Sequence, residues 1–314
     1  MAKLNAAVIG AGRLGTLHAA KYEALEQVRL RYIVDIDLPR AQALAASSGA
    51  EALTDYRLLQ GRVDLASVAT PTLSHAEIAG FLLNSQINVL LEKPMTATLE
   101  QARTLAALAA RSSALLQVGH LERFNPAVLR LPPILAHPRY IECHRLAPFT
   151  ERGTDVDVVF DLMVHDLDLI LSLAQAPVVA VEALGVAVLT DRIDVANARL
   201  RFGDGMIANV NTSRVAPRRE RKIRFFQPDA YISLDYEARK LQIYRKQAPA
   251  PGAAYPTISA ELIDLHAGDP LAEEIGEFVT AVIERSAPRV GAQEGLRVIE
   301  LCQWVSSQIA AGQP

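Results

Sequence analysis

The sequence has few cysteines and no long hydrophobic run, and each shortage excludes a class of protein. Cys143 and Cys302 are the only two cysteines among 314 residues, which excludes a disulfide-stapled scaffold and a cysteine-rich zinc site. No stretch approaches the roughly 20 apolar residues that a transmembrane helix requires. The N-terminal residues lack the apolar region and cleavage site of a signal peptide. We therefore expect a cytoplasmic protein without a membrane span.

The chain also lacks an excess of positive charge. Its formal net charge is −3, which argues against a nucleic-acid-binding protein with a basic surface. Hydrophobic residues make up 50% and charged residues 21% of the chain, which excludes disorder as its main state. Its length predicts two domains.

The first 120 residues alternate strand and helix patterns. Helical patterns follow short apolar runs that are typical of buried strands. This alternation predicts a doubly wound parallel sheet covered by helices on both faces, which is an α/β fold. The predicted strands are Leu4–Ile9, Leu30–Val34, Asp64–Ala69, Asn88–Leu91 and Ala114–Val118.

A glycine-rich segment lies between the first strand and the first helix. This segment has the glycine spacing of a dinucleotide-binding turn. Its six residues are candidate cofactor contacts: Gly10, Ala11, Gly12, Arg13, Leu14 and Gly15. Asp35 follows the second strand and would hold the hydroxyls of the adenine ribose. A 2′-phosphate there would be repelled by Asp35 and Asp37, so the sequence favours NAD over NADP.

The pattern changes after residue 120. Strands then follow one another with hairpin turns, which predicts an α+β domain with a large, mostly antiparallel open sheet. We therefore place a Rossmann dinucleotide-binding domain at residues 1–120 and a substrate-binding and oligomerisation domain at residues 121–314. The C-terminal helices predicted at 269–285 and 292–311 are candidates for packing back on the first domain.

One long, apolar helix predicted from Val158 to Ala174 carries polar residues. Asp157, Asp161, His165 and Asp168 follow one another at spacings that would align them as a stripe. Buried ionisable groups are costly unless they are paired. From this pattern alone, the stripe could be catalytic or structural.

Lys93 is a second candidate. It follows a predicted parallel strand directly, and ligands bind at such strand ends in open α/β sheets. The position alone would also suit an ordinary surface lysine.

These motifs together resemble the glucose–fructose oxidoreductase, inositol dehydrogenase and rhizopine-catabolism (Gfo/Idh/MocA) family over nearly the whole chain. The resemblance implies Lys93, Asp161 and His165 as catalytic residues, and dimers or tetramers formed through the open sheet. It implies further cofactor contacts from Thr70, Pro71, His75, Glu92 and Lys93. Many members have a glycine pair before the catalytic helix, where this chain has residues 155–158. The matching segments are Gly10–Gly15, Asp35-Ile36-Asp37, Thr70-Pro71 with His75, Glu92-Lys93-Pro94 and Asp161–Asp166.

Other segments resemble a subgroup, the UDP-N-acetylglucosamine 3-dehydrogenases. That resemblance implies oxidation of C3 of the sugar, in preparation of the 2,3-diamino sugar of certain lipid A molecules. The segments are Gly119–Ala127, His144–Phe149, Arg152–Asp157 and Phe226–Tyr231.

The expected chemistry is removal of a hydroxyl proton together with hydride transfer from the same carbon. His165 would act as base, since the ordinary pKa of histidine, about 6.5, suits neutral pH. Asp161 would orient His165 or contact the sugar, and Lys93 would stabilise the negative oxygen. Lys93 could instead share the proton relay. With a lysine in that role, no metal is expected.

Two further segments are candidate substrate contacts. Arg123 and Asn125 follow the last Rossmann strand and would touch the substrate. A basic run from Arg214 to Arg224 could grip a diphosphate, or it could be a solvated loop or an oligomer contact.

Three alternatives to the nucleotide-sugar dehydrogenase remain open from the sequence. The chain could oxidise another sugar or a cyclitol. It could be a glycosidase of the same family, which oxidises a sugar transiently and returns the hydride. It could also be a non-catalytic NAD-binding regulatory module.

Overall fold

The chain folds into two units, which are described in a computed structural model for residues 3–150, 156–249, 251, 254–264 and 268–312. The first unit comprises residues 1–124 and 269–300, and the second comprises residues 125–268 and 301–314. Among the described residues, no helix is both long and apolar enough to cross a membrane.

A six-stranded parallel sheet forms the first unit. The strands lie in the order β3-β2-β1-β4-β5-β6. Successive strands are added to one side of β1 up to β3 and then to its other side from β4 onward, so the strand order reverses between the neighbours β1 and β4. The apolar strands are buried because helices cover a parallel sheet on both faces. The α/β prediction is therefore confirmed, and the sheet has one strand, β3, that the sequence pattern did not predict. The strands are β1 (Leu4–Ile9), β2 (Val28–Val34), β3 (Glu51–Leu53), β4 (Leu65–Val68), β5 (Asn88–Glu92) and β6 (Leu116–Gly119).

Four helices connect these strands, and local signals fix several of their ends. Asp37 caps the second helix by accepting a hydrogen bond from the Arg40 N–H. Thr98 and Gln101 form a capping box at the start of the fourth. The helices are α1 (Arg13–Ala24), α2 (Leu38–Ser48), α3 (His75–Asn84) and α4 (Leu99–Arg111).

The helix α7 (Pro270–Glu284) belongs to the first unit although it lies late in the chain. Its apolar face, which includes Ile275 and Phe278, lies in one buried cluster with Val8 and Tyr22. The first unit thus completes its core with a segment from late in the chain. Residues 269–300 group with the first unit, whereas a single boundary at residue 120 would place them in the second. The final helix α8 (Ala292–Ala311) is divided between the units after residue 300.

The second unit contains an eight-stranded sheet in the order β14-β13-β12-β11-β7-β10-β9-β8. Neighbouring strands are antiparallel except for the parallel pair β7 and β10, which confirms the expected mostly antiparallel sheet. The strands are β7 (Tyr140–Leu146), β8 (Val178–Val186), β9 (Val195–Phe202), β10 (Ile207–Ser213), β11 (Glu220–Gln227), β12 (Ala230–Asp235), β13 (Lys240–Lys246) and β14 (Ile258–Asp264). The unit also contains the helices α5 (Pro126–Leu129) and α6 (Val164–Leu173).

Candidate active site

The glycine loop after β1 is packed so closely that two of its positions admit no side chain. Gly10 has a φ of +97°, and a Cβ atom there would lie 2.5 Å from the carbonyl oxygen of Ala69. A Cβ atom on Gly15 would lie 1.7 Å from the carbonyl oxygen of Gly10. The loop therefore lies directly between the ends of β1 and β4 and the first turn of α1.

The N-terminus of α1 suits a phosphate group. Gly12 caps the helix without a side-chain hydrogen bond, and the first turn has no acidic residue. The N–H groups of Arg13, Leu14 and Gly15 belong to that first turn, where helical N–H groups have no partner within the helix. A Cβ atom on Gly12 would meet nothing within 4 Å, so a pyrophosphate can approach the backbone here. The loop therefore fits a dinucleotide.

Asp35 is fixed beside this loop at the end of β2. Its Oδ2 accepts a 2.7 Å hydrogen bond from the Ala11 N–H, and its Oδ1 accepts a 2.9 Å bond from the Asp37 N–H. A carboxylate has about four acceptor sites, so these two bonds leave capacity for hydroxyl groups. Asp35 therefore has the placement expected of the residue that binds the adenine ribose.

We expect Asp35→Asn to weaken discrimination against NADPH by at least about tenfold, because it removes the charge that repels a 2′-phosphate. The measurement is the ratio of the NADH and NADPH dissociation constants, obtained by fluorescence titration. Asp64→Asn is the matched control, since Asp64 also accepts a backbone hydrogen bond, from the Asn5 N–H. An unchanged ratio in Asp35→Asn would contradict the assignment.

His75 lies beneath the loops that were expected to hold the cofactor. Its side chain is 1% exposed, and its Nδ1 and Nε2 lie 2.9 Å from the carbonyl oxygens of Pro94 and Thr70. Burial lowers the pKa of His75, in spite of these two carbonyl groups. His75 thus connects the Thr70-Pro71 turn with the Lys93-Pro94 turn, and any effect on the cofactor would pass through those turns.

Glu92 ends β5 and Lys93 follows it, and the two side chains have different environments. Glu92 is buried, and its Oε1 lies 2.9 Å from Nε2 of His18 while its Oε2 accepts a hydrogen bond from the Lys93 N–H. Lys93 itself is half-buried. His18 is wholly buried and has a polar partner at each ring nitrogen.

The proposed catalytic helix departs from the prediction of one regular helix. A π-helical segment, Val159–Met163, precedes α6. Asp161 lies within the π-helical segment and His165 follows it in the first turn of α6, and both are half-buried. A π-helical turn is rare and occurs frequently at functional sites. It also changes the angular spacing of side chains, so the four polar residues do not form the regular stripe expected of an α-helix.

The remaining polar residues of this helix have different positions. Asp157 accepts hydrogen bonds from the N–H groups of Val159 and Phe160 and so caps the segment. Asp168 is buried. Asp166, which the stripe had omitted, forms a buried bidentate ion pair with Arg145 of β7, with N–O distances of 2.8 and 3.0 Å. This pair fixes the helix directly beside His165.

The candidate substrate residues lie at a boundary in the chain. Arg123 is half-buried and groups with the first unit, whereas Asn125 groups with the second. The carboxamide oxygen of Asn125 accepts a 3.0 Å hydrogen bond from the Ala127 N–H and caps α5. Residues 152–155, part of the subgroup resemblance and of the segment before the helix, lie outside the described residues.

The basic run after β10 is largely engaged by its own unit. Arg214 is buried and donates to the carbonyl oxygens of Val156 and Ile193. Arg224 pairs with Glu142 at 2.9 Å, and Lys222 with Asp235 at 3.2 Å. These partners explain much of the run as ion pairing within the sheet.

Two family models match the chain. One, described as an oxidoreductase family with an NAD-binding Rossmann fold, matches residues 4–120. The other, the Gfo/Idh/MocA C-terminal domain, matches residues 136–232. The chain belongs to the Gfo/Idh/MocA oxidoreductase family. The resemblance identified from its motifs is thus confirmed, and NAD is the cofactor.

Individual members of the Gfo/Idh/MocA family are also similar. A UDP-N-acetylglucosamine 3-dehydrogenase from Acidithiobacillus ferrooxidans is 38% identical over 301 residues, which is 95% of each chain. A solved structure of that enzyme has a TM-score of 0.91 at 36% identity and covers 99% of each chain. An oxidoreductase domain protein from Kribbella flavida has a TM-score of 0.90 at 21% identity, covering 100% of this chain and 98% of the other, and supports the fold alone.

Proposed function

We propose that this chain is an NAD-dependent dehydrogenase that oxidises the C3 hydroxyl of UDP-N-acetylglucosamine to a ketone. The observation that carries the proposal is the relative named UDP-N-acetylglucosamine 3-dehydrogenase, which is similar over 95% of both chains. The π-helical segment, which contains Asp161 and lies directly before the turn with His165, supports it, because such a feature is typical of a functional site.

The reaction removes a proton and a hydride from one secondary alcohol and forms the ketone. NAD⁺, when bound, supplies the hydride acceptor. We assign His165 to take the hydroxyl proton on a ring nitrogen and Asp161 to orient that ring. The Lys93 ammonium would stabilise the negative charge that develops on the oxygen. Arg123 and Asn125 are proposed to contact the substrate.

The remaining proposed cofactor contacts all lie in the first unit. The glycine loop would hold the pyrophosphate at the N-terminus of α1, and Asp35 would hold the adenine ribose. Thr70 and Pro71 would contact the cofactor from the turn after β4. His75 and Glu92, which are both buried, would act mainly by fixing those turns and Lys93.

The test uses UDP-N-acetylglucosamine that carries deuterium at C3. We expect absorbance at 340 nm to rise, and mass spectrometry to find deuterium in the NADH formed. An aminotransferase and glutamate remove the ketone, which draws the oxidation forward. Deuterium placed at C4 of the sugar is the matched control and should not reach NADH.

Other outcomes distinguish the alternatives. NADH formed only with inositol or another polyol would replace the substrate and keep the dehydrogenase. Cleavage of a glycoside without net NADH would indicate the hydride-returning glycosidase. NAD binding without turnover of any sugar would indicate the regulatory module.

We also propose that the chain forms a homodimer or homotetramer through the open face of its second sheet. An aromatic row crosses this face from β7 to β13, with ring centroids 5.1 to 5.6 Å apart. On β14 the same face continues with Ile258 and Leu262, which are 71% and 56% exposed. The Glu142–Arg224 pair gives the face both signs of charge, which suits contact with a second copy. The aromatic row consists of Tyr140, Phe226, Tyr231 and Tyr244.

We expect sedimentation of the native chain to give a dimer or tetramer, and Tyr231→Glu to reduce its mass toward the monomer. A charge placed in an apolar contact must be desolvated, which opposes association. Leu58→Glu is the control, since Leu58 is 47% exposed in the first unit. A monomeric native protein at high concentration would overturn this assembly.

Compartment and pathway are proposed together with the substrate. Cys143 and Cys302 are buried free thiols, which suits the reducing cytoplasm. A 3-keto sugar nucleotide is a substrate for amination, so the product would enter synthesis of the 2,3-diamino sugar of lipid A.

A further inference from the structure

A chain of four buried polar side chains lies between α1 and the end of β5. The Tyr22 hydroxyl lies 2.8 Å from Oγ of Ser67, and Oγ of Ser67 lies 2.9 Å from Nδ1 of His18. Nε2 of His18 lies 2.9 Å from Oε1 of Glu92. Tyr22, Ser67 and His18 are wholly buried, and Glu92 is 8% exposed. Buried polar groups in such number must satisfy one another.

The Glu92 carboxylate fixes the direction of its hydrogen bond with His18. An ionised Glu92 can only accept, so Nε2 of His18 carries a proton and donates it. Oγ of Ser67 lies within hydrogen-bond distance of both Nδ1 of His18 and the Tyr22 hydroxyl. Burial raises the pKa of Tyr22 well above its ordinary value, which keeps this phenol a donor. The chain therefore ends in an N–H group that His18 donates to the Glu92 carboxylate.

The Glu92 carboxylate is ionised although it is buried. Burial on its own raises the pKa of Glu92, but the hydrogen bond from His18 and the charges of His18 and Lys93 outweigh it, and the pKa is lowered. The side chain is also closely confined, since a Cβ atom on Gly119 would lie 3.4 Å from its Oε2. Oε2 accepts the Lys93 N–H. A held negative charge thus lies next to the residue proposed to stabilise the reacting oxygen.

We propose that His18 is a positioning residue for Lys93, which acts by holding the Glu92 carboxylate in place. Because α1 also begins at the glycine loop, one helix connects the proposed pyrophosphate site to the segment that carries Lys93. The inference rests on the proposed function only in giving Lys93 its catalytic role. The contact between His18 and Glu92 is independent of the substrate.

Two substitutions of His18 separate positioning from packing. In His18→Gln the amide nitrogen can take the place of Nε2 and keep the bond to Glu92. In His18→Asn the side-chain amide, whose oxygen accepts and whose nitrogen donates, can take the place of Nδ1, which keeps the contact with Ser67 and loses the bond to Glu92. We expect kcat to fall about 10- to 100-fold in His18→Asn, because a displacement of about 1 Å can cost that much. His18→Gln should stay within about threefold of the native enzyme, since it keeps the bond that positions Glu92.

Measurements of binding and stability complete the comparison. The NAD dissociation constant should change less than about threefold in both variants, because neither alters the loop at the start of α1. His137→Asn, at an exposed position, is the control and should leave kcat, KM and NAD binding unchanged. Equal values of kcat in His18→Asn and His18→Gln would overturn the proposal, as would a loss explained entirely by weaker NAD binding. If His18→Asn does not fold, Glu92→Gln replaces it, with the same fall in kcat expected.

A readout without substrate makes this inference separable from the proposed function. The rate at which an acylating reagent modifies Lys93 is measured by peptide mass spectrometry, with the exposed Lys240 as internal reference. We expect Lys93 to react at least about threefold faster in Glu92→Gln and His18→Asn than in the native protein and His18→Gln. The first substitution removes the negative charge beside the ammonium, and the second releases that charge from its position. Unchanged reactivity would contradict positioning even in an active enzyme. The expected change in a protein that does not oxidise the sugar would refute only the proposed function.

Discussion

Lys93→Met is expected to lower kcat at least about 100-fold, which is the lower range for loss of a group that stabilises charge in the transition state. Methionine has nearly the length of lysine but no ammonium, so the developing negative charge on the substrate oxygen loses its stabilisation. Lys93 follows β5 directly and is half-buried, where a charge acts through less water than at the surface. The measurement is single-turnover formation of NADH, which separates the chemical step from product release.

The same substitution should leave NAD bound with a dissociation constant within about fivefold of the native value, because most contacts with the dinucleotide would come from the glycine loop and Asp35. Lys240→Met is the matched control, since Lys240 is an exposed lysine at the start of β13. Near-normal turnover of Lys93→Met would remove Lys93 from the mechanism.

His165→Gln distinguishes the base from the relay. Loss of a general base costs about 100- to 10,000-fold, and glutamine retains polarity without taking up the proton. If His165 is the base, kcat should fall by that factor in His165→Gln. The double variant with Lys93→Met should then lose less kcat than the product of the two single effects, because the effects of residues that act as a unit are not additive. A full product would indicate that the two residues act independently.

The sequence predicts elements well where their apolar pattern is complete. β1 has the bounds predicted from its continuous apolar run. β3 has only three residues, Glu51–Leu53, none fully buried, and forms by pairing with β2. β14 is exposed along nearly its whole length and is defined by hydrogen bonds to β13. Neither strand has an apolar pattern in its own residues from which a strand could be predicted.

The site was predictable to the level of motifs but not of contacts. The glycine spacing and the Glu92-Lys93 pair are visible in the sequence, because the residues of each motif lie close together along the chain. The partners of His18, by contrast, come from Ser67 and Glu92, which are 49 and 74 residues away. The π-helical segment was also hidden, since its residues have the apolar periodicity of an ordinary helix.

Three glycine-to-alanine substitutions should separate folding from cofactor binding, and the largest effect on stability is expected for Gly15→Ala. A Cβ atom there would lie 1.7 Å from the Gly10 carbonyl oxygen, and both atoms belong to backbone that cannot rotate away. The start of α1 must move from the end of β1, at a cost above about 3 kcal/mol in the free energy of unfolding. Thermal denaturation should show a fall of at least roughly 6 °C, together with loss of NAD binding.

Gly12→Ala should weaken NAD binding without a large loss of stability. The added Cβ meets no protein atom within 4 Å and the φ is −77°, so the stability cost should be about 1 kcal/mol or less, as for loss of a favoured N-cap residue. NAD affinity should nevertheless fall at least about tenfold, because the methyl group occupies the space through which a pyrophosphate reaches the backbone. Gly276→Ala is the control inside α7, where a Cβ also meets nothing within 4 Å, and alanine should raise stability slightly. If Gly12→Ala bound NAD as tightly as the native chain, the open space above Gly12 would not be the pyrophosphate site, whatever the fate of Gly15→Ala.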